Sequence, residues 1–241
     1  MRALYTWHTA SATPPSETPR CLVEPSTPRA GINRPVVVTI DMHRGHLDPS
    51  VATLPVPGDE ARALIERTAP VYHELRQLDV PIVHVVTRFR APSESLMNPF
   101  WASKRSQTRA RQAEHNLFGS PGTQVIEEFR DPRDLIVDTK KRYSAFLHTD
   151  LDFVLRDLGA RTVILTGVNT NSCVLGTAFE VVNRDYRLIV LADCCGSMDG
   201  AEAHAQALSL IETCLGEVLT WDALRPRLAQ HAQPKETVLS P

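Results

Sequence analysis

Residues 36–41 read VVVTID, a run in which three valines, a threonine and an isoleucine precede an aspartate. Such a continuous run is typical of a central strand that is buried on both faces of its sheet. Five further strand-like runs follow: PIVHVVTRF (81–89), DLIVDT (134–139), RTVILTG (161–167), YRLIVLAD (186–193) and EVLTW (217–221). Helical patterns alternate with them. The order therefore predicts an α/β fold, with a six-stranded, mainly parallel sheet covered by helices on both faces.

The composition narrows the class of protein. A chain of 241 residues with a formal net charge of −2 fits one ordinary globular domain and lacks the basic face that binds nucleic acid. Its apolar runs are strand-length, far short of the ~20 residues of a membrane helix. Five cysteines without a CxxC pair, behind an N-terminus unlike a signal peptide, are typical of reduced thiols. We therefore expect a cytoplasmic protein that binds neither nucleic acid nor membrane.

The chain divides into three parts. Residues 1–33 are rich in Pro, Ser and Thr and show no apolar period, which predicts an N-terminal arm that is disordered or laid over a neighbouring subunit. Residues 34–225 form the predicted domain, and residues 226–241 form a C-terminal tail. Within the domain, the segment 90–130 is long and polar, and such a loop in a compact domain is usually functional.

Polar side chains lie where three of the predicted strands end. Asp41 ends the first strand, Lys140 follows the third, and Cys173 follows the fourth at the start of a helix. The carboxyl ends of parallel strands meet at one edge of a sheet, so one site can collect all three. A helix N-terminus and a nearby ammonium group favour a thiolate, and an aspartate can accept the thiol proton. Backbone N–H groups of the turn 167–170 can hold an oxyanion.

Each of these residues also has an ordinary structural interpretation. A lone cysteine after a strand is usually a small buried hydrophobe, and an aspartate there usually forms a turn or a cap. A lysine in KKR is usually a solvated surface charge. Taken singly, none of these residues distinguishes a catalytic role from a structural one. The flanking residues are needed to choose between the two roles.

Three longer segments carry a resemblance to a known family. They are VVVTIDMHRG (36–45), DTKKRYSAFLHTDLDFVLRDLGARTVILTGVNTNSCV (138–174) and LADCCGSMDGAEAH (191–204). They resemble the signature segments of the isochorismatase-like cysteine hydrolases, over about residues 34–221. The second is the most specific, because it joins a lysine four residues before SAF to a strand that ends TG-x-x-T-x-x-C-V.

The resemblance implies a catalytic triad. Asp41 would be the general base, Lys140 the cation and Cys173 the nucleophile, and Lys140 is preferred to Lys141 because it keeps the spacing to Ser144. True isochorismatases, which cleave a vinyl ether, generally lack the cysteine. We therefore expect an amidohydrolase that cleaves a linear C–N bond of a small amide, ureido or N-carbamoyl compound through a thioester. An ether, ester or lactam hydrolase on the same fold and a non-catalytic binding or scaffold protein are the alternatives.

The resemblance also implies a fold, an assembly and a backbone feature. The fold would be a Rossmann-like three-layer α/β/α sandwich, in a homodimer or homotetramer. A cis peptide between Val168 and Asn169 would aim the backbone N–H groups of Asn169 and Cys173 at the oxyanion. The nicotinamidase branch of the family has a metal site built from Asp-x-His and further histidines just after the second strand. Because TRFRAPSES (87–95) has no histidine, we expect no metal and no cofactor here.

Further side chains are candidates for substrate contact. Two histidines follow the base and contact a polar substrate or only their own loop. An arginine after the second strand can bind a carboxylate, although a surface role is as reasonable. Two aromatic residues can enclose a flat amide, the second of them being also a typical core residue, and a threonine lies in the turn before the nucleophile. These candidates are His43, His46, Arg88, Trp101, Phe146 and Thr170.

Overall fold

The computed structural model describes residues 31–232, and its centre is one six-stranded sheet. The strands are β1 (Pro35–Ile40), β2 (Ile82–Thr87), β3 (Leu135–Lys140), β4 (Thr162–Val168), β5 (Arg187–Gly196) and β6 (Glu217–Leu219). Their order across the sheet is β3-β2-β1-β4-β5-β6, and every neighbouring pair is parallel. The predicted α/β class is confirmed, and the sheet is parallel throughout.

Helices cover both faces of the sheet. They are α1 (Arg44–Leu47), α2 (Gly58–Gln77), α3 (Pro92–Leu96), α4 (Pro99–Ala102), α5 (Ser106–Glu114), α6 (Leu151–Asp157), α7 (Leu175–Val182), α8 (Ala201–Cys214) and α9 (Trp221–Ala232). One hydrophobic core lies under α2 and α9, and a second lies under α6, α7 and α8. Successive residues of β1 alternate between them, Val37 in the first and Val38 in the second, as a strand buried on both faces requires.

The predicted long segment between β2 and β3 consists of short helices. Besides α3, α4 and α5 it contains two 3₁₀ turns, Pro121–Thr123 and Glu127–Phe129. Proline occupies the first turn of α3 and of α4, where its missing N–H costs nothing. The Asn98 side chain caps α4 by accepting hydrogen bonds from the backbone N–H groups of Phe100 and Trp101. The segment thereby folds back over the carboxyl ends of the central strands.

The described ends of the domain lie beyond its predicted limits. α9 continues past residue 225 into the predicted tail, and Leu228 in this helix is buried in the core. Ile32, predicted to belong to the arm, is buried in the same core. Residues 1–30 and 233–241, which include most of the predicted arm and tail, lie outside the described residues. Within residues 31–232, no helix combines the length and apolarity that a membrane crossing requires.

Candidate active site

Four side chains meet at the carboxyl ends of adjacent strands. Asp41 follows β1, Thr87 ends β2, Lys140 ends β3, and Cys173 lies in the turn after β4. The Lys140 Nζ atom is 2.6 Å from Asp41 Oδ2 and 2.8 Å from Thr87 Oγ1. The same Nζ atom is 3.3 Å from Cys173 Sγ. The structure thus brings the three predicted catalytic residues into one buried cluster, with the lysine ammonium in contact with the other two.

A β-bulge aims Lys140 at this cluster. Val85 of β2 pairs with Val137 of β3, but Thr87 pairs with Lys140, so β3 contains one residue more than its partner over this stretch. Bulges of this kind re-aim side chains and are common beside active sites. The neighbouring Lys141 points elsewhere, and its Nζ donates to the Arg88 carbonyl oxygen. The fold therefore distinguishes the two lysines as the four-residue spacing to Ser144 does.

Thr87 completes the cluster and is absent from the predicted site. Its hydroxyl donates to Asp41 Oδ1 at 2.8 Å while accepting the hydrogen bond from Lys140. Its backbone N–H donates to the same Asp41 oxygen at 2.9 Å. The carboxylate is therefore bound at both oxygens, by a threonine on one and by the ammonium group on the other.

These contacts keep the acid and the amine ionised. Burial alone would raise the pKa of Asp41, but the Lys140 ammonium group opposes it, and that pKa lies well below its ordinary value. Burial alone would lower the pKa of Lys140, but Asp41 and Cys173 outweigh it and raise that pKa. The two charges form a buried ion pair at neutral pH.

The backbone around Asp41 is held in an unusual conformation. Asp41 has a φ of 53°, a left-handed value that aspartate tolerates better than most residues. Gly167 of β4, at a φ of 122°, packs directly against the preceding residue, and a Cβ atom there would lie 2.1 Å from the Ile40 carbonyl oxygen. Only glycine allows β4 to approach β1 so closely at this point.

The nucleophile candidate lies in a tight turn after β4. Thr170–Val174 form one π-helical turn that leads into α7, and π turns of this length are frequent at functional sites. The Val168–Asn169 peptide bond before it is cis, as the resemblance implies. Asn169 and Cys173, the predicted oxyanion residues, both line the cavity described below.

Burial favours the protonated thiol of Cys173 and opposes the thiolate that the helix start and the ammonium group favour. The pKa of Cys173 is raised from 9.0 to about 12, mainly by burial and also by Asp41, while Lys140 acts in the opposite direction. A rise of three pH units corresponds to about 4 kcal/mol. A helix N-terminus contributes only ~0.3–1 kcal/mol, or ~2 kcal/mol where it is partly buried. Burial beside a carboxylate therefore outweighs the helix terminus.

A cavity of about 360 Å³ opens onto this cluster. All four clustered side chains line it, and so do the predicted residues His46 and Trp101. Trp101 is held by a hydrogen bond from its Nε1 to Tyr143 Oη at 3.0 Å. Further lining residues are Leu54, Phe89, Phe100, Lys104, Thr108, Gln112, His115, Lys141, Arg142, Tyr143, Asn169, Ser172, Met198 and Asp199. Aromatic and cationic side chains both line this cavity.

Two of the other candidates for substrate contact do not line the cavity. Phe146 is buried in the core under α6 and α7, with the Arg184 guanidinium over its ring. Thr170 is buried, and its hydroxyl donates to the Gly196 carbonyl oxygen at 2.8 Å. Neither lines the cavity at the triad. Both are close to the nucleophile or the lysine in sequence, but their side chains point into the protein.

The remaining two candidates lie beside the site without lining it. Arg88 forms an ion pair with Asp138 and faces a separate cavity of about 710 Å³. His43 is fully buried, with its Nε2 atom 3.5 Å from Asp41 Oδ1 and 2.8 Å from the Asn116 side-chain nitrogen. His43 therefore contacts the base and not the cavity.

Histidines gather beside the triad although residues 87–95, immediately after β2, contain none. His43, His46 and His115 are all buried, and their candidate ligand nitrogens lie within 4.8 Å of one another. His115 lies between α5 and β3, 72 residues beyond His43, so sequence spacing does not reveal the cluster. The expectation of no metal was drawn from residues 87–95 alone and does not address this group.

Comparisons with known proteins agree with the predicted resemblance. A model of the isochorismatase domain matches residues 35–223. Ureidoacrylate amidohydrolase RutB of Methylobacterium radiotolerans is 41% identical over 88 residues, 36% of this chain and 34% of that protein. The match thus spans about a third of that relative's length. Maleamate amidohydrolase of Pseudomonas putida is 28% identical over 193 residues, 80% of this chain and 86% of that protein.

Solved structures extend the agreement to the fold. A cysteine hydrolase from Pseudomonas syringae pv. phaseolicola 1448A superposes with a TM-score of 0.70 at 25% identity, covering 86% of this chain and 100% of that one. The region that the family model matches, residues 35–223, contains all six strands and the four clustered side chains. Since the family model covers nearly the whole described domain, the chain belongs to the isochorismatase family.

Proposed function

We propose that this protein is a cysteine-dependent amidohydrolase that cleaves a linear C–N bond of a small amide or ureido compound through a thioester. The observation that carries the proposal is the Lys140 ammonium group, which contacts both the Asp41 carboxylate and the Cys173 sulfur inside one cavity. A carboxylate, an ammonium and a thiol within hydrogen-bonding reach supply the base, the counter-charge and the nucleophile of acyl transfer.

The acylation half of the reaction begins at the thiol. Asp41 takes the proton of Cys173 as the sulfur attacks the substrate carbonyl carbon. The carbonyl oxygen then carries the negative charge, which the backbone N–H groups of Asn169 and Cys173 stabilise. The C–N bond breaks, the leaving nitrogen takes the proton from Asp41, and an acyl thioester remains on Cys173.

The second half releases the acid. Water enters the site of the departed amine and gives a proton to Asp41 while its oxygen attacks the thioester carbonyl. The C–S bond breaks, and the sulfur recovers the proton from Asp41. The sum is amide plus water to acid plus amine, with the triad returned to its starting state. Lys140 stays protonated and holds the aspartate against the sulfur at every step.

The cavity rim supports an anionic substrate. Lys104 and Arg142 both line the cavity, and the Arg142 guanidinium lies 5.4 Å from the centre of the Trp101 ring. The two relatives are named for ureidoacrylate and maleamate, amides that each carry a carboxylate. We therefore place the reacting amide at Cys173 and a substrate carboxylate at these cations, with Trp101 against the plane between them.

An ammonia-release screen tests the proposal. The panel is ureidoacrylate, maleamate, N-carbamoylsarcosine and nicotinamide, with the folded Cys173→Ala protein as the blank. We expect ammonia from at least one carboxylate-bearing compound and none above background from the blank. Mass spectrometry of acid-quenched enzyme should show an acyl adduct on the peptide that contains Cys173. Undiminished turnover by Cys173→Ala would end the mechanism.

A further inference from the structure

Three buried imidazoles stand together at the inner wall of the triad cavity. The centre of the His46 ring is 4.9 Å from that of His43 and 4.8 Å from that of His115. Their candidate ligand nitrogens lie within 4.8 Å of one another, and two of the rings, His46 and His115, line the cavity. The triad mechanism uses none of these three side chains.

Burial disfavours the protonated form of the two cavity-facing rings. Burial is the main cause that lowers the pKa of His46 to about 4, and burial likewise lowers the pKa of His115 well below its ordinary value. Neutral imidazole is the form that binds metal ions. Burial therefore favours the metal-binding form of these two rings.

Adjacent residues of one loop fix the orientation of these two rings. His46 Nδ1 is 2.6 Å from the Leu54 carbonyl oxygen, which can only accept, so Nδ1 carries the hydrogen and Nε2 the lone pair. His115 Nδ1 is 2.9 Å from the Thr53 hydroxyl, which can accept in the same way. Metal-binding histidines commonly donate the other ring N–H to a carbonyl or a similar acceptor, which orients the ligand.

The third ring, that of His43, accepts a hydrogen bond from Asn116 that a metal ion can replace. His43 Nε2 is 2.8 Å from the side-chain nitrogen of Asn116, which also donates to the Thr87 carbonyl oxygen at 2.9 Å. An amide nitrogen that donates to His43 Nε2 marks a lone pair on that atom. Asn116 keeps its second bond if a metal ion takes its place at His43.

We propose that His43, His46 and His115 form a binding site for a divalent transition-metal ion of the zinc class. Three imidazoles with a fourth position open to a cavity are the ligand set of a reactive zinc site. Bonds of ~2.0–2.1 Å place the ligand nitrogens ~3.3 Å apart, so the rings close in by up to about 1.5 Å on binding. The fourth position faces the cavity, where a water molecule or a substrate carboxylate or carbonyl oxygen completes the shell.

The ligands of this site do not come from residues 87–95, where the sequence shows no histidine. Its ligands come from the loop after β1, from α1 and from the residue after α5. It adds a cation beside Asp41, and it is separate from the atoms that form the thioester. Metal binding is therefore measurable without turnover.

The experiment uses tag-free Cys173→Ala protein, because that change removes the thiol as an alternative ligand. The protein is stripped with chelator, dialysed and titrated with Co²⁺ followed by visible absorption, and with Zn²⁺ by calorimetry. We expect one equivalent to bind, with the intense absorption band of four-coordinate cobalt. In this background His46→Gln and His115→Gln should each weaken binding at least ~10- to 100-fold. His73→Gln, which changes an exposed histidine on α2, should leave it unchanged.

Two results would overturn the site. The first is the absence of saturable one-to-one binding in the Cys173→Ala protein, which needs no histidine variant. The second is binding of unchanged affinity in both glutamine variants. Circular dichroism and thermal melting confirm that each variant is folded, and His115→Asn replaces His115→Gln if the latter does not fold.

Discussion

Replacing Thr87 with valine tests whether a hydroxyl bridge orders the triad. Valine keeps the shape of the side chain and removes Oγ1, with the hydrogen bond it donates to Asp41 and the one it accepts from Lys140, both 2.8 Å long. The backbone N–H of residue 87 still reaches Asp41, and the 2.6 Å contact between Lys140 and Asp41 remains. The variant thus keeps the ion pair and loses the link that fixes its position.

The size of the effect follows from the charges involved. A hydrogen bond to an ionised group contributes ~1.5–3 kcal/mol, and two such bonds are lost. Lys140 keeps its contacts with Asp41 and Cys173. We therefore expect the activation free energy of turnover to rise by about 2–3 kcal/mol. This corresponds to a kcat roughly 30- to 150-fold lower, since each 1.4 kcal/mol is a factor of ten. Removal of the sulfur in Cys173→Ala should by contrast leave no turnover.

Initial rates of ammonia release, measured on the best substrate of the screen, give kcat. Thr166→Val is the matched control, because the buried Thr166 hydroxyl on β4 lies 2.5 Å from Tyr72 Oη of α2 and does not line the triad cavity. That variant should lose about 1 kcal/mol of unfolding free energy in urea and keep its rate. A folded Thr87→Val enzyme within threefold of the wild-type kcat would refute the bridge. An equal loss in Thr166→Val would assign the effect to general loosening of the sheet.

Three further outcomes follow from individual side chains. The pKa of Cys173 is raised to about 12. Its alkylation by iodoacetamide in the free enzyme should therefore accelerate about tenfold per pH unit from pH 7 to 9. Peptide mass spectrometry measures this rate, and a plateau below pH 8 would contradict the expectation. Two arginine partners more than offset the effect of burial and lower the pKa of Glu217 from 4.5 to about 2. Glu217→Gln should therefore cost about 2 kcal/mol in urea at pH 7, after allowance for screening, and the difference should fade as the pH drops through 4 toward 2; a pH-independent cost would exclude charge pairing as its cause. Arg142→Gln should raise KM at least tenfold for a carboxylate-bearing amide and leave its carboxamide analogue within twofold, and equal changes for both would remove the arginine from substrate recognition.

The strands were predictable because parallel strands buried on both faces appear in sequence as continuous apolar runs. The C-terminal end of the domain was harder to predict from the sequence. Pro226 reads as a helix breaker, yet it lies within α9. The available signal was the i, i+4 pair Leu224 and Leu228, both buried against the first core. Helical periodicity of apolar residues was the better guide here than a single proline.

The site was predictable only as far as it lies at strand ends. Asp41 and Cys173 could be assigned from their positions after strands, and Lys140 from its spacing to SAF. Thr87 could not, because its role depends on β2 lying between β1 and β3, and strand order is not written in any local pattern. Once that order is known, the last residue of β2 must lie between the aspartate and the lysine.

For a different reason, the sequence could not show which candidates for substrate contact line the cavity. Side-chain direction, which decides whether Phe146 or Thr170 meets the cavity or the core, changes with each residue of a loop. The cavity wall also draws on the segment 90–130, whose short helices carry Trp101 over the strand ends. A contact between His43 and His115 spans 72 positions, and no spacing rule connects them.

The protonation state of Cys173 decides which negative charge the backbone N–H groups at the helix terminus stabilise. In the resting cluster Asp41 is negative, Lys140 positive and the thiol neutral, so the buried groups sum to zero charge. Moving the proton from sulfur to carboxylate keeps that sum but is uphill, because the thiol pKa is raised and that of Asp41 is lowered. Attack on a carbonyl carbon passes the charge from sulfur to oxygen as it forms. In the proposed mechanism, backbone N–H groups at the turn therefore favour an oxyanion that exists only with substrate bound, while burial disfavours a thiolate in the free enzyme.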